Sequence, residues 1–289
     1  MHIGALEAGG TKMVCAIGDE LGNIYDKTVI PTETPDVTVP LMIEYFKKAH
    51  VDALGIGCFG PICLDKDDEH YGYITSTPKL SWRSYDIAGI LSTSLGVAVG
   101  FDTDVNAACL GEVTFGCAQG LSDVVYLTVG TGIGAGIYSG GKLLHGNLHP
   151  EAGHILLRRH PWDSYEGKCP YHKDCFEGLA SGPALKERFG KSAAEINDPA
   201  AWQMEAFYIA QALTNYIMVL APQKIILGGG VMHKSVLFPL VREEVERLLN
   251  GYLVTRELKD IDNYIVPASL NDEQGIKGCL VLGRDAVAK

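Results

Sequence analysis

A strand, glycine turn and returning strand occur twice in this chain, and that duplication constrains its fold more than any other feature. Ile3 to Leu6 is an apolar run, Ala8-Gly9-Gly10-Thr11 a turn, Met13 to Ile17 a second strand, Leu21-Gly22-Asn23 another turn, and Ile24 to Ile30 a third strand. The same grammar returns after residue 120. Val124 to Val129 reads as a strand, Gly130 to Gly136 as a glycine-rich turn, and Ile137-Tyr138 as the returning strand. Ser139-Gly140-Gly141 is then a second turn before Leu143-Leu144. The match lies in pattern, not residue identity, and two unrelated hairpins are the alternative. Glycines at the equivalent first turn of both copies favour duplication.

Between the copies come a helix pattern near Val37 to Lys48, a strand Ala53 to Cys58, a helix near Asp86 to Leu95, a strand Val97 to Phe101 and a helix Val105 to Phe115. The second half continues with a helix around Trp202 to Leu220, a strand Lys224 to Leu227, a helix Val231 to Leu249, a strand Ile265-Val266 and a last helix from Glu273. Strands and helices in this order define an α/β chain with hairpins opening each half. At 289 residues the chain exceeds the usual size of one core. The expected lobes are 1–115 and 116–289, with the last helix, about 273–287, packing back on the first.

The formal net charge is −11, and no cluster of Lys and Arg occurs, so neither a nucleic acid nor an anionic membrane is an expected partner. No apolar segment approaches the length of a membrane span, and the chain opens without a basic stretch leading into a long apolar run, which predicts a cytoplasmic protein. Cys15, Cys58, Cys63, Cys109, Cys117 and Cys279 are scattered singly in apolar segments, the pattern of buried free thiols.

Three glycine-rich turns follow apolar strands: Gly9-Gly10-Thr11-Lys12, Gly130-Thr131-Gly132-Ile133-Gly134 and Gly228-Gly229-Gly230. Each can present bare backbone N–H groups to an anion, because glycine permits close approach of the main chain. One such turn alone is usually only a turn; three together point to a nucleotide. Neither familiar nucleotide motif is present. Gly136 to Lys142 has P-loop spacing but lacks the following Ser or Thr, and Gly132-Ile133-Gly134 does not open a helix.

Asp102 and Asp104 stand at the start of the Val105 helix, where an aspartate is commonly an N-cap. On position alone the cap is the favoured reading for either residue. Cys169-Pro170-Tyr171-His172-Lys173-Asp174-Cys175 is a C-x2-H-x2-C run of the ligand types that Zn²⁺ prefers, and it needs a fourth ligand from elsewhere.

Taken with Glu7-Ala8-Gly9-Gly10-Thr11-Lys12, Asp102-Thr103-Asp104-Val105-Asn106-Ala107-Ala108, Glu151-Ala152-Gly153-His154 and Gly228-Gly229-Gly230-Val231, these motifs in this order resemble the repressor/ORF/kinase (ROK) family of sugar kinases, fructokinase branch, nearly end to end. The resemblance implies an actin-like, duplicated fold of two ribonuclease-H-like lobes with ATP in the cleft between them. It implies Asp104 as the catalytic base, leaving Asp102 to cap the helix. It implies phosphate and nucleotide contacts from Gly9, Gly10, Thr11, Lys12, Gly130, Thr131, Gly132, Gly229 and Gly230, the last two at the start of the Val231 helix. Sugar contacts would come from Asn106, Thr103, Glu151, His154, Glu177 and a wall at Pro78, although Thr103 departs from the family's usual Asn. Zn²⁺ would be held by His154, Cys169, His172 and Cys175, with His172 replacing the more usual thiolate, and Mg²⁺ by Glu7 through water.

The resemblance makes the chain an ATP-dependent hexose kinase, with Glu7 and His149-Pro150-Glu151 favouring fructose. Glucose, mannose or N-acetylmannosamine kinases of the same family are the near alternatives. A catalytically silent sugar or nucleotide sensor and an actin-like regulatory ATPase are the distant ones; the intact Asp104 argues against the first and the Cys/His run beside Glu151 and Glu177 against the second. Repressor members of the family carry an added N-terminal DNA-binding domain, which is not expected with a strand starting at Ile3. A homodimer is the expected assembly on general frequency.

Overall fold

The computed structural model describes residues Met1 to Ala288. In chain order the first elements are β1 (Ile3–Ala8), β2 (Lys12–Gly18), β3 (Ile24–Pro31), α1 (Pro35–Ala49), β4 (Ala53–Cys58), β5 (Tyr73–Ile74), β6 (Tyr85–Asp86), α2 (Ile87–Leu95), β7 (Ala98–Thr103) and α3 (Asp104–Phe115). There follow β8 (Val124–Val129), β9 (Ile133–Ser139), β10 (Lys142–Leu143), α4 (Phe176–Ala180), α5 (Gly182–Phe189) and α6 (Pro199–Leu220). The chain ends through β11 (Lys224–Gly228), α7 (Leu237–Leu249), α8 (Arg256–Lys259), α9 (Ile261–Tyr264), β12 (Ile265–Pro267) and α10 (Gln274–Val287).

The duplication is plain in the sheets. Among the described residues there are two five-stranded sheets, ordered β3-β2-β1-β4-β7 and β10-β9-β8-β11-β12. In the first, β1 pairs antiparallel with β2 and parallel with β4, which pairs parallel with β7. In the second, β8 pairs antiparallel with β9 and parallel with β11, which pairs parallel with β12. Among the described residues no helix is long and apolar enough to cross a membrane.

The chain divides into two compact units. One comprises residues 1–120, 143–150 and the segment from Ser269 onward; the other comprises 121–142 and 151–268. The first unit buries both faces of its sheet, so its strands read as apolar runs. Leu6, Ala8, Met13, Cys15 and Ile17 face a core shared with Phe46 of α1 and Leu91 of α2. Ile3, Ala5, Val14 and Ala16 face Ile276, Cys279 and Leu280 of α10. That helix lies so close that a Cβ on Gly55 would stand 1.7 Å from the Cys279 carbonyl oxygen, and one on Gly278 1.6 Å from that of Ala107 in α3. Glycine in a strand or helix interior is entropically unfavourable, and here the close approach of main chains requires it. The second unit has one large core in which Tyr208, Ile209 and Leu213 of α6 pack with Leu127, Ile225 and Val241.

Three local readings are corrected. The strand expected to stop at Phe101 continues to Thr103, and Thr103 rather than Asp102 caps α3, its Oγ1 accepting from the Asn106 N–H at 3.1 Å. Asp102 is drawn away by other donors, the Thr103 N–H among them. The turn after β8 closes by Gly132, because Ile133, Ala135 and Ile137 alternate as buried residues of β9. The helix expected from Val231 is a 3-10 turn over Gly230–His233, and α7 starts only at Leu237. A helix running through Val231 would drive the Pro239 ring into the Ser235 carbonyl, whereas a start at Leu237 puts that proline in the first turn.

Candidate active site and metal cluster

In the first unit β7 runs into α3 without a loop, which puts the polar residues of the junction on continuous regular backbone. Asp104, half-buried, is the first residue of α3, and its Oδ1 accepts from the Val105 N–H at 2.9 Å. Asp102 is buried and accepts from the Thr103 N–H at 2.8 Å and from Asn106 Nδ2 at 2.7 Å. Its other oxygen lies 2.9 Å from His145 Nε2, a hydrogen bond that holds the His145 imidazole above its usual pKa. His149 is buried, accepts from the Ile62 N–H at 3.1 Å, and is held below the usual imidazole range by burial.

The first glycine turn stands in the same unit. Gly9 N–H donates to the Lys12 carbonyl at 3.0 Å, closing the turn, while Thr11 and Lys12 are exposed. Glu7, on β1, reaches toward the first turn of α10, where a Cβ on Gly275 would stand 2.5 Å from its Oε2. Burial raises the Glu7 carboxyl above its usual range, with Lys12 opposing the shift. The Lys79 side chain lies over the same turn, its Cε 3.1 Å from where a Gly10 Cβ would be. Pro78 beside it is exposed, and Thr77 is buried.

In the second unit the other two glycine turns meet. A Cβ on Gly130 would stand 3.7 Å from the Gly230 nitrogen, and the Gly130 carbonyl accepts from the Gly182 N–H at 2.7 Å. Gly229 has φ +89° and packs on the Val129 carbonyl oxygen, 2.5 Å from where its Cβ would be. Glu177, in the first turn of α4, accepts from the Ile133 N–H at 2.9 Å and so ties α4 to the end of the Gly130–Gly132 turn. Partial burial and the facing Glu177 carboxylate push Glu151 up to about 7.

His154, Cys169, His172 and Cys175 converge, with their donor atoms all within 4.8 Å of one another. His154 Nδ1 lies 3.4 Å from Cys175 Sγ and 3.8 Å from Cys169 Sγ, and His172 Nδ1 lies 3.7 Å from Cys169 Sγ. A tetrahedral ion at about 2.0–2.3 Å from imidazole and thiolate donors separates them by about 3.6 Å, so this donor set fits a four-coordinate cation. Burial pushes the Cys175 thiol up to about 12, a penalty that a bound cation would offset. His154 turns its other nitrogen toward Glu151 Oε2 at 4.0 Å, the outer carboxylate that commonly orients a ligating imidazole.

The expected site residues therefore fall into a junction and a turn in the first unit and two turns and a cluster in the second. Sequence reasoning missed His145, and it missed that Lys79 lies over the first glycine turn. Neither carried a local signal: Lys79 meets Gly10 only through the fold, and His145 stands 43 residues from Asp102.

A family model described as "ROK family" matches residues 3–286. A fructokinase of Pediococcus pentosaceus is 46% identical over 288 residues, covering 99% of this chain and 99% of its own. The ROK hexokinase of Thermus thermophilus superposes with a TM-score of 0.81 at 27% identity, covering 100% of this chain and 99% of that one. A ROK family glucokinase of Streptomyces griseus, solved with glucose and AMPPNP, gives a TM-score of 0.73 at 25% identity over 99% of this chain and 100% of that one.

Proposed function

This chain belongs to the ROK family, and from that premise we propose that it is a fructokinase, transferring the γ-phosphoryl of ATP to D-fructose to give ADP and D-fructose 6-phosphate. The observation that carries the reading is a half-buried carboxylate, Asp104, fixed at a strand-to-helix junction in a chain 46% identical end to end to a fructokinase. Asp104 takes the proton of the sugar hydroxyl as its oxygen bonds to the γ-phosphorus and the bond from that phosphorus to the ADP oxygen breaks.

Gly9, Gly10, Thr11, Lys12, Gly130, Thr131, Gly132, Gly229 and Gly230 are assigned to the nucleotide, whose phosphates bare N–H groups can receive. Mg²⁺ is assigned to Glu7 through water, an oxygen donor of the type that ion takes; it would neutralise phosphate charge. Asn106, Thr103, Glu151, His154, Glu177 and Pro78 are assigned to the sugar. The Thr103 hydroxyl accepts from Asn106 N–H and keeps its own proton to donate, and Glu177 keeps one oxygen beyond its bond to Ile133. Zn²⁺ is assigned to His154, Cys169, His172 and Cys175, where it would clamp the segment that carries Glu151, His154 and Glu177. The same reading makes the protein cytoplasmic, where ATP is supplied, and a homodimer.

The test is ADP release from MgATP with fructose, glucose, mannose and N-acetylmannosamine in parallel, with Asp104→Asn alongside. Fructose turnover that the variant abolishes supports both reaction and base. Turnover with another hexose keeps the mechanism and changes the substrate, while no sugar-dependent turnover overturns the reading.

A further inference from the structure

Residues 143–150 pack with the first unit, although the chain on both sides of them belongs to the second. Two histidines anchor this return. His149 is buried and bonded to the Ile62 main chain, which explains it as a structural residue. His145 is different, because 39% of its side chain is exposed while the carboxylate it meets, Asp102, is 5% exposed.

Asp102 is surrounded by donors: the Thr103 N–H, Asn106 Nδ2 and His145 Nε2. With the two amide donors already on it Asp102 accepts, so in the neutral imidazole His145 Nε2 carries the ring proton and Nδ1 is left as an acceptor. Among the described residues Nδ1 meets no hydrogen-bond donor. The same carboxylate orients Asn106. Its Nδ2 is turned to Asp102 and lies 3.4 Å from His145 Nε2, which leaves Asn106 Oδ1 as a second acceptor, buried and without a partner. Buried acceptors are rarely left so, and a hydroxyl donor is what satisfies them.

We propose that His145 is a further sugar-binding residue, its Nδ1 accepting a hydroxyl of the hexose whose acceptor oxygen faces Asp104, with Asp102 as the positioning residue that sets its tautomer. This inference rests on the kinase reading above. The ligand class follows from the charge: an imidazole backed by a carboxylate and paired with a neutral amide oxygen suits a polyol hydroxyl, whereas a phosphate would face two acceptors. Asp102 and Asp104 are two residues apart across the junction, so the same main chain that fixes the base fixes this contact.

The rival explanation is that the Asp102–His145 bond only pins residues 143–150. Glutamine separates the two, since its Nε2 can replace the N–H donated to Asp102 but it has no acceptor where Nδ1 lies. Because Asp102 holds the His145 imidazole above its usual pKa and Nδ1 accepts only in the neutral ring, initial-rate kinetics are measured at about pH 8 and about pH 9 for wild type, His145→Gln, His145→Ala and Asp102→Asn, with thermal midpoints for each. The expected result for His145→Gln is a rise of about 10- to 100-fold in the fructose KM, with the MgATP KM within about twofold of wild type and the midpoint near that of wild type. His145→Ala and Asp102→Asn raise the fructose KM at least as much, with a lower midpoint. A wild-type fructose KM in His145→Gln overturns the proposal, as does an equal rise in both KM values. Wild-type turnover is measured first: turnover of another hexose moves the same comparison to that sugar, and absence of any sugar turnover sinks the kinase reading and this inference together, before any variant is read.

Discussion

The first unit sets its polar corner on a direct strand-to-helix junction, whereas the second sets its corner with a side-chain cluster, although both are built on the same strand order. At the junction of β7 and α3, Asp102 and Thr103 end the strand and Asp104 and Asn106 lie in the first turn of the helix. Between residues 151 and 175 the second unit has a 3-10 turn over Ala152–His154 and two isolated bridges, Leu156 to Cys175 and Cys169 to Lys173, and His154, Cys169, His172 and Cys175 converge there. Regular hydrogen bonding makes a junction rigid without further help, while an irregular segment of this length needs a cross-link to hold functional side chains at fixed separations. A damaged junction should therefore lose chemistry with the fold intact, and a damaged cluster should lose order.

The sharpest break of that comparison is Asp104→Asn, which should lower kcat about 10³-fold with an unchanged thermal midpoint, since a positioned general base contributes about 10²–10⁴; a fall of less than tenfold would remove Asp104 from the chemistry. With Zn²⁺ in the cluster as proposed, a chelator, or Cys175→Ser, should cut hydrogen-exchange protection over residues 151–178 about 100-fold, near 3 kcal/mol, and leave β1 and β4 protected. Equal loss in both units would erase the distinction. Gly153→Ala tests the packing of the same segment on β9, because its Cβ would stand 1.8 Å from the Ile133 carbonyl oxygen. It should cost about 2 kcal/mol in denaturant unfolding, as overpacking does. The smallest effect is expected of Thr103→Ala, about 1 kcal/mol for a lost N-cap, read by the same unfolding curves.

What was legible in the chain was what neighbouring residues decide. The hairpins and the α/β order follow from alternation and glycine turns within ten residues, and Cys169, His172 and Cys175 declare themselves within seven. His154 entered as the fourth ligand only through family resemblance, because 15 residues separate it from Cys169. Competition between neighbours was harder. Asp102 and Thr103 are both good caps, and the choice fell to Thr103 because distant His145 and the Asn106 amide claim the aspartate. The start of α7 was misread because apolar periodicity runs on through Val231, while the one steric veto sits eight residues later at Pro239.

The packing of α10 on β1, β4 and α3 has a consequence for biosynthesis. Ile3, Ala5 and Ala16 leave the ribosome before the second unit is made, and Ile276, Cys279 and Leu280, which cover them, only after it. Throughout synthesis of the second unit that apolar face of the nascent chain therefore waits uncovered, a surface for chaperones to hold, and a chain cut before Ile276 would leave β1 and β2 without their lid.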